Sequence, residues 1–234
     1  MRMVIVIWKK VKLSIKIWSL ILIGGRMKKI SDSTISRLSK YYRTLGRLIE
    51  KKVKTVSSDE IAEIDGVTSA QVRKDLSFFG TFGKRGLGYN TIDLQNNIGT
   101  ILGLYKKWNV ALVGIGNIGH ALVDYQEFKK QGFLIKLILD NDEKKIGTFV
   151  GDLEIKPFAE AEKYLEEEKV QIAIVAVPAN VAQGVVNSLT DAGVKAILNF
   201  APLSLKVKKG VMIKNENMSI ELEALSYFLT NRGK

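Results

Sequence analysis

At 234 residues, 46% of them apolar, the chain is long enough for one large or two small domains with a real core. It has no cysteine and a single histidine, His120, which excludes disulfides, thiolate metal sites, cysteine nucleophiles and most familiar triads. The net charge of +12 is lopsided: residues 1–100 carry 19 Lys and Arg against 8 Asp and Glu, and residues 101–234 carry 17 against 16. The N-terminal part is therefore the one suited to a polyanion.

Residues 1–26 interleave apolar and basic side chains, as in Val4-Ile5-Val6-Ile7-Trp8-Lys9-Lys10, with six basic and no acidic residues. No uninterrupted apolar run reaches the roughly 18 residues of a spanning helix. A signal peptide would need a longer apolar centre and a small-residue cleavage site. Gly24-Gly25-Arg26 stands directly before Met27, as an in-frame reading of a purine-rich ribosome-binding sequence would place it. We expect residues 1–26 to be a mis-assigned gene start or a disordered extension, with translation starting at Met27. Residues 27–100 keep 13 basic against 8 acidic side chains, so the charge argument survives without the extension.

Ile35, Leu38, Tyr42, Leu45 and Ile49 recur at three- and four-residue steps, which predicts an amphipathic helix over 35–49. Ser57-Ser58-Asp59-Glu60 is a capping box opening a short helix to about Ile64. Asp65-Gly66-Val67 is a turn, and Thr68-Ser69-Ala70-Gln71 is a second capping box opening a helix to about Phe79. Two short helices joined by a glycine-containing turn are the mark of a helix-turn-helix. On the second helix Val72, Leu76 and Phe79 share the core face. The opposite face presents Ala70, Arg73, Lys74 and Ser77, with Ser69 at the helix start and Gln71 at the flank. Arg and Lys suit guanine edges and phosphates, and Gln suits adenine. Residues 81–89 read as a hairpin with Lys84 and Arg85 at a glycine-flanked tip, as in a wing that enters a minor groove. This places a winged helix-turn-helix DNA-binding domain at 27–95, followed by a linking helix within 90–107.

Residues 96–217 are expected to form a second, α/β domain. The apolar strand Val110–Val113 runs into Gly114-Ile115-Gly116-Asn117-Ile118-Gly119, a Gly-x-Gly-x-x-Gly turn, and a helix is expected over Ala121–Phe128. The first glycine makes the turn, the second lets backbone approach a pyrophosphate, and the third lets helix and strand pack closely. The helix N-terminus offers unpaired N–H groups to the phosphates. The second strand, 133–139, ends at Asp140, about 20 residues past the last glycine, where an acid holds the ribose hydroxyls of NAD. A 2′-phosphate would be repelled there, although Lys144 and Lys145 could attract one. Further apolar strands, 170–177 ending Val177-Pro178 and 196–199 ending at Asn199, alternate with a helix over 180–192. This pattern implies a parallel Rossmann sheet covered on both faces. Pro178 and Asn199 are candidate lining residues or plain strand ends. The last helix, about 220–230 within a segment 218–234, aligns Leu222, Leu225 and Leu229 with Tyr227 and Phe228 beside them. It either packs on its own sheet or is exchanged with a second copy.

These parts in this order resemble the redox-sensing transcriptional repressor Rex family, from about Met27 to the end. The residues that carry the resemblance are Gln71-Val72-Arg73-Lys74-Asp75-Leu76 with Phe79-Gly80, Arg85-Gly86-Leu87-Gly88-Tyr89, Ile101-Leu102-Gly103-Leu104, Gly114–Gly119, Asp140 with Asp142, and Ile197-Leu198-Asn199-Phe200-Ala201-Pro202. The resemblance implies a cytoplasmic homodimer that binds a palindromic operator and represses genes of fermentative or anaerobic respiratory metabolism. It implies release by NADH, with NAD+ competing and favouring the DNA-bound form. It also implies a C-terminal helix swapped between protomers, with Leu222, Leu225 and Phe228 at that contact. A tyrosine of the first Rossmann helix, matched by Tyr125, would meet an aspartate of the partner's C-terminal segment. Ser219 stands where that aspartate is expected, and a serine cannot make the same charge-assisted bond. Ser31 and Ser39 stand where the family's leading helix has prolines.

The rival reading is an NAD-dependent oxidoreductase. Hydride transfer needs a substrate pocket and a positioned acid or base, whereas little more than one helix follows the Rossmann strands and His120 belongs to the phosphate-binding helix start. A sensor that signals through protein contacts is a third reading, against which the basic wing and recognition helix argue.

Overall fold

The computed structural model describes residues 30–83 and 86–232. The extension 1–26 and the wing-tip pair Lys84 and Arg85 lie outside the described residues. The chain divides into two compact units, one ending at Leu104 and the other beginning at Tyr105.

The first unit comprises α1 (Asp32–Glu50), β1 (Thr55–Val56), α2 (Ser58–Asp65), α3 (Ser69–Ser77), β2 (Tyr89–Asn90) and α4 (Thr91–Ile101). Ser31 caps α1 by accepting from Thr34 N, so a serine starts the helix where the family's proline is expected. The buried stripe of α1 is Thr34, Leu38, Tyr41, Thr44 and Leu45. Tyr41 therefore takes the core place expected of Tyr42, and Ile35 stays exposed. Both halves of the box form at Ser57–Glu60, the Ser57 hydroxyl accepting from Glu60 N and the Glu60 carboxylate from Ser57 N, and Gly66 ends α2 in the left-handed conformation that a side chain would resist. Val72 and Leu76 join Leu38, Tyr41, Leu45, Ile61, Leu94 and Ile98 in one core, with Phe79 packed on its edge. Each such fully buried side chain contributes about 1.5–3 kcal/mol.

The expected self-paired hairpin over 81–89 does not form among the described residues. β2 pairs instead with β1, Thr55 opposite Asn90 and Val56 opposite Tyr89. Gly83 and Gly88 nonetheless approach closely, because a Cβ on Gly83 would lie 2.4 Å from the Gly88 carbonyl oxygen. The expected domain division at 95/96 falls inside α4, whose Leu94 and Ile98 belong to the first unit's core. α4 lies within the expected 90–107 and closes at Gly103, with Leu104 N bonded to Gly99 O.

The second unit comprises β3 (Trp108–Val113), α5 (Asn117–Val123), α6 (Gln126–Lys130), β4 (Phe133–Asp140), β5 (Phe149–Val150), β6 (Leu153–Pro157), a 3-10 turn (Phe158–Glu160), α7 (Ala161–Glu167), β7 (Ile172–Val175), α8 (Ala179–Asp191), β8 (Ala196–Asn199), β9 (Met212–Asn215) and α9 (Met218–Asn231). The sheet order is β5-β6-β4-β3-β7-β8-β9. Only β5 runs antiparallel to its neighbour. Without β5 this is the doubly wound order of dinucleotide-binding sheets, with its reversal between β3 and β7. β3 is buried on both faces, which is why its apolar run is continuous. Ala111 and Val113 pack with Leu165 of α7 and Val185 and Leu189 of α8. Val110 and Leu112 pack on the other side with Leu122, Val123 and Phe128.

The expected helix over 121–128 is broken. α5 stops at Val123 and α6 restarts at Gln126, with Tyr125 between them in an extended conformation. No residue of α9 is buried.

Candidate nucleic-acid interface and dinucleotide cleft

In the first unit α2, the Gly66 turn and α3 build the helix-turn-helix. Thr68 caps α3 by accepting from Gln71 N. The second half of that expected box is absent: Gln71 Nε2 donates to Asp75 Oδ1 at 2.8 Å instead of returning to Thr68. Ala70, Arg73, Lys74 and Ser77 are exposed together on one face of α3, with Ser69 and Gln71 half-buried at its edge. Arg73 Nη1 donates to Ser58 Oγ at 2.8 Å, which orients the guanidinium across the two helices while leaving four of its five N–H donors. The Ser77 hydroxyl is spent on Lys74 O at 2.7 Å.

Sequence reasoning missed the group beneath this face. Asp75 is completely buried and paired with Arg37, whose Nε and Nη2 lie 2.6 and 2.8 Å from its two oxygens. The Tyr41 hydroxyl donates at 3.0 Å. Burial raises the Asp75 pKa, but the Arg37, Gln71 and Tyr41 hydrogen bonds outweigh it and hold the carboxyl below its ordinary value. A charged residue at a helical core position was the available signal, since such residues are almost never buried unless paired.

In the second unit the site lies at the carboxyl ends of β3, β4 and β7. Gly114 has φ 91°, and a Cβ there would sit 2.5 Å from the Ala176 carbonyl oxygen. A Cβ on Gly119 would sit 2.2 Å from the Gly114 carbonyl oxygen. The first and third glycines thus let turn, helix and β7 touch. Nothing lies within 4 Å of a Cβ on Gly116. The open backbone at the second glycine, which precedes α5, is where a pyrophosphate would approach.

Asp140 ends β4. Its Oδ2 accepts from Ile115 N at 2.8 Å and its Oδ1 from Asp142 N at 2.9 Å, with Lys145 Nζ 3.7 Å away. Burial raises its pKa, but the backbone N–H groups of Ile115 and Asp142 and the Lys145 cation bring it below the ordinary carboxylate value. It is therefore an ionised acceptor with lone pairs to spare. A cleft of about 370 Å³ contains Gly114, Gly116, Asp140, Lys145, Val177 and Pro178. It also takes in Phe158, Val181 and Val185, which the sequence did not single out because they arrive from α8 and the 3-10 turn. Ile115 is buried behind the turn, and Asn117 and Ile118 are exposed on the first turn of α5.

Asn199 does not line this cleft. It is completely buried, and its amide donates to Ala201 O, Leu203 O and Asn215 Oδ1 at 3.0, 3.1 and 2.9 Å while accepting from Ala201 N. It ties β8 to β9 and the 200–203 turn, the strand-end alternative.

Tyr125 is exposed at the α5–α6 break, with its ring edge-on to Phe128. Ser219 is exposed in the first turn of α9, where its N–H donates to Asn217 Oδ1. Leu222, Leu225, Tyr227, Phe228 and Leu229 are all exposed. Among the described residues no group of His, Asp or Glu could hold a metal ion, and no helix is long and apolar enough to cross a membrane.

Comparison with known proteins follows the same division. Residues 105–203 match the model of a CoA binding domain, and residues 29–77 match that of a putative DNA-binding protein N-terminus. The chain is 48% identical over 206 residues to the redox-sensing transcriptional repressor Rex of Desulforamulus reducens, covering 88% of this chain and 98% of that one. It is 48% identical to the Rex of Carboxydothermus hydrogenoformans over 85% of this chain and 96% of the relative. Among solved structures, RSP in complex with β-NAD+ and operator DNA superposes with a TM-score of 0.83 at 39% identity, covering 87% and 94% of the two chains. RSP in complex with β-NADH gives 0.80 at 38% identity, covering 88% and 96%. By identity over nearly the whole of its relatives, and by a fold built of the same two parts, the chain belongs to the redox-sensing transcriptional repressor Rex family.

Proposed function

We propose that the protein is a cytoplasmic, homodimeric DNA-binding repressor that senses the NADH/NAD+ ratio, and that NADH binding in the β3–β7 cleft releases it from a palindromic operator. The observation that carries this reading is the presence in one chain of a helix-turn-helix with an exposed Arg73–Lys74 face and a dinucleotide cleft with an ionised acid at Asp140. Relatives named as redox-sensing repressors support it, as do RSP structures with β-NAD+ and operator DNA and with β-NADH.

Gly114, Gly116 and Gly119 shape the pyrophosphate seat, with Asn117 and Ile118 in the helix turn above it. Asp140 holds the adenosine ribose, and Val177 and Pro178 bound the apolar wall. Lys145 engages Asp140 and Asp142 at 3.7 and 3.5 Å, which favours NAD over its 2′-phosphate because its charge is already shared. On DNA, Arg73 and Lys74 supply the main base and phosphate contacts. Gln71, Ala70, Ser69 and Ser77 lie alongside, and Lys84 and Arg85 extend the wing.

The protein uses its dinucleotide as a signal without turning it over. The ionisable side chains among the cleft-lining residues are Asp140 and Lys145, and both are engaged. His120 is exposed on α5 and outside the cleft lining. The apolar stripe of α9 and the exposed Tyr125 serve the dimer, the former as a swapped helix.

Separate loss of the two activities tests the reading. Arg73→Ala and Lys74→Ala should each weaken operator binding by about tenfold or more while the NADH fluorescence titration is unchanged. Unchanged operator affinity in both would remove α3 from recognition.

A further inference from the structure

The face of α3 turned away from solvent carries Asp75, a group that DNA contact alone does not explain. Its carboxylate collects Arg37 through two nitrogens, the Tyr41 hydroxyl and the amide of Gln71. Thr34 Oγ1 lies farther off, at 3.4 Å. An ionised carboxylate accepts and never donates, and the paired Arg37 keeps this one ionised. Gln71 therefore cannot flip its amide: the nitrogen must face Asp75, one helical turn on at i+4. Its Oε1 and second N–H remain for whatever lies over the helix. The Thr68 cap is left with the Gln71 backbone N–H alone, so the side chain is diverted from the usual helix-start contact to a polar anchor.

We propose that Asp75 is a positioning residue for base reading: by pinning the amide of Gln71 it fixes which hydrogen-bonding groups face the DNA, and so sets discrimination at one base pair of each half-site. The base that suits an offered acceptor and donor is adenine, whose major-groove edge presents N6–H2 and N7. Arg37 and Tyr41 act at one remove, since they hold the carboxylate that holds the amide. The inference rests on α3 being the recognition helix. It differs from a purely structural brace, which would lose affinity equally for every sequence.

The test uses the full chain and an operator recovered by selection from random duplexes, measured by fluorescence anisotropy against every single base-pair substitution of one half-site. Gln71→Ala should lose about tenfold discrimination at one base pair. Asp75→Asn should lose it at the same base pair, and the double variant should lose no more than either. Relaxation at a different base pair, or a uniform loss across the panel, overturns the proposal. No sequence preference in the unmodified protein would defeat the DNA-binding reading itself; preference retained in both variants defeats this inference alone. Should Asp75→Asn fail to fold, the side-chain amide NMR signals of Gln71 in the unmodified protein decide. One of the two Nε2 protons should be shifted downfield and protected from solvent exchange relative to its geminal partner at neutral pH, a difference that fades as acid protonates Asp75; two protons at the shifts and exchange rates of an unrestrained glutamine overturn the proposal.

Discussion

At the residue scale, the three motif glycines separate folding from binding. Gly119 has no room for a methyl group, whereas Gly116 has open space at a φ of −84° that any residue adopts. Gly116→Ala should leave the melting temperature unchanged and weaken NADH binding by about tenfold or more, as expected for backbone that touches a phosphate. Gly119→Ala should lower the melting temperature as well, because its clash is with backbone. A fluorescence titration and a thermal melt check both, and equal stability losses in the two variants would contradict the assignment. The motif and Asp140 were legible because glycine spacing and a strand-end acid encode their roles locally. Asp75 was not, since its partners Arg37 and Tyr41 lie 38 and 34 residues away and a wheel drawn on α3 alone cannot see them. Asn199 failed for the same reason: its end-of-strand place was correct, but Asn215, 16 residues on, claims its side chain.

The folded pKa values of Asp75 and Asp140 both lie below the ordinary carboxylate value. The stability these groups contribute is fully present above an unfolded pKa of about 3.9. It is lost as pH falls through the lower folded values. Melting followed from pH 7 to pH 3 should therefore show little change from these two groups until about pH 4 and a steep fall below it. Asp75→Asn should melt lower at neutral pH, since it leaves Arg37 without its carboxylate, and should show a shallower acid fall. An acid fall as steep as that of the unmodified chain would show that Asp75 is not a source of the pH dependence.

At the scale of elements, α9 is an apolar-rich helix whose large side chains find no cover within the described chain. Leaving Leu222, Leu225 and Phe228 in water forfeits roughly 1.5–3 kcal/mol each, which a second copy would recover. Leu222→Asp with Leu225→Asp should shift the chain from dimer to monomer in sedimentation at micromolar concentration. An unchanged dimer would place the interface elsewhere. The helix and its stripe were readable from leucine spacing, but spacing is silent on what covers the stripe. The break between α5 and α6 was hidden for a similar reason: 121–128 holds no proline or glycine to announce it. The wing was misread because its strand partner, Thr55–Val56, precedes the helix-turn-helix, and a two-residue ladder leaves no alternation to detect.

At the scale of the whole molecule, sensing requires two dimer states that differ in the spacing of their recognition helices, because operator half-sites lie about one helical turn apart. NADH must prefer the DNA-incompetent state, since a ligand with equal affinity for both shifts nothing. Swinging a population from 99:1 to 1:99 takes about a 10⁴-fold preference, or about 5.5 kcal/mol. NADH and NAD+ share the pyrophosphate and adenosine, the parts proposed to meet Gly114–Gly119 and Asp140, so that preference must arise at the nicotinamide, through its charge and ring pucker. The two-part organisation was legible in the charge asymmetry and motif order. The nicotinamide end was not, because no local motif comparable to Gly114–Gly119 marks the residues that approach it. The decisive measurement is operator binding by the full chain, followed by anisotropy while NADH or NAD+ is added. The expected result is displacement by NADH in the micromolar range with NAD+ sparing the complex; operator binding that persists in saturating NADH would contradict the sensor mechanism.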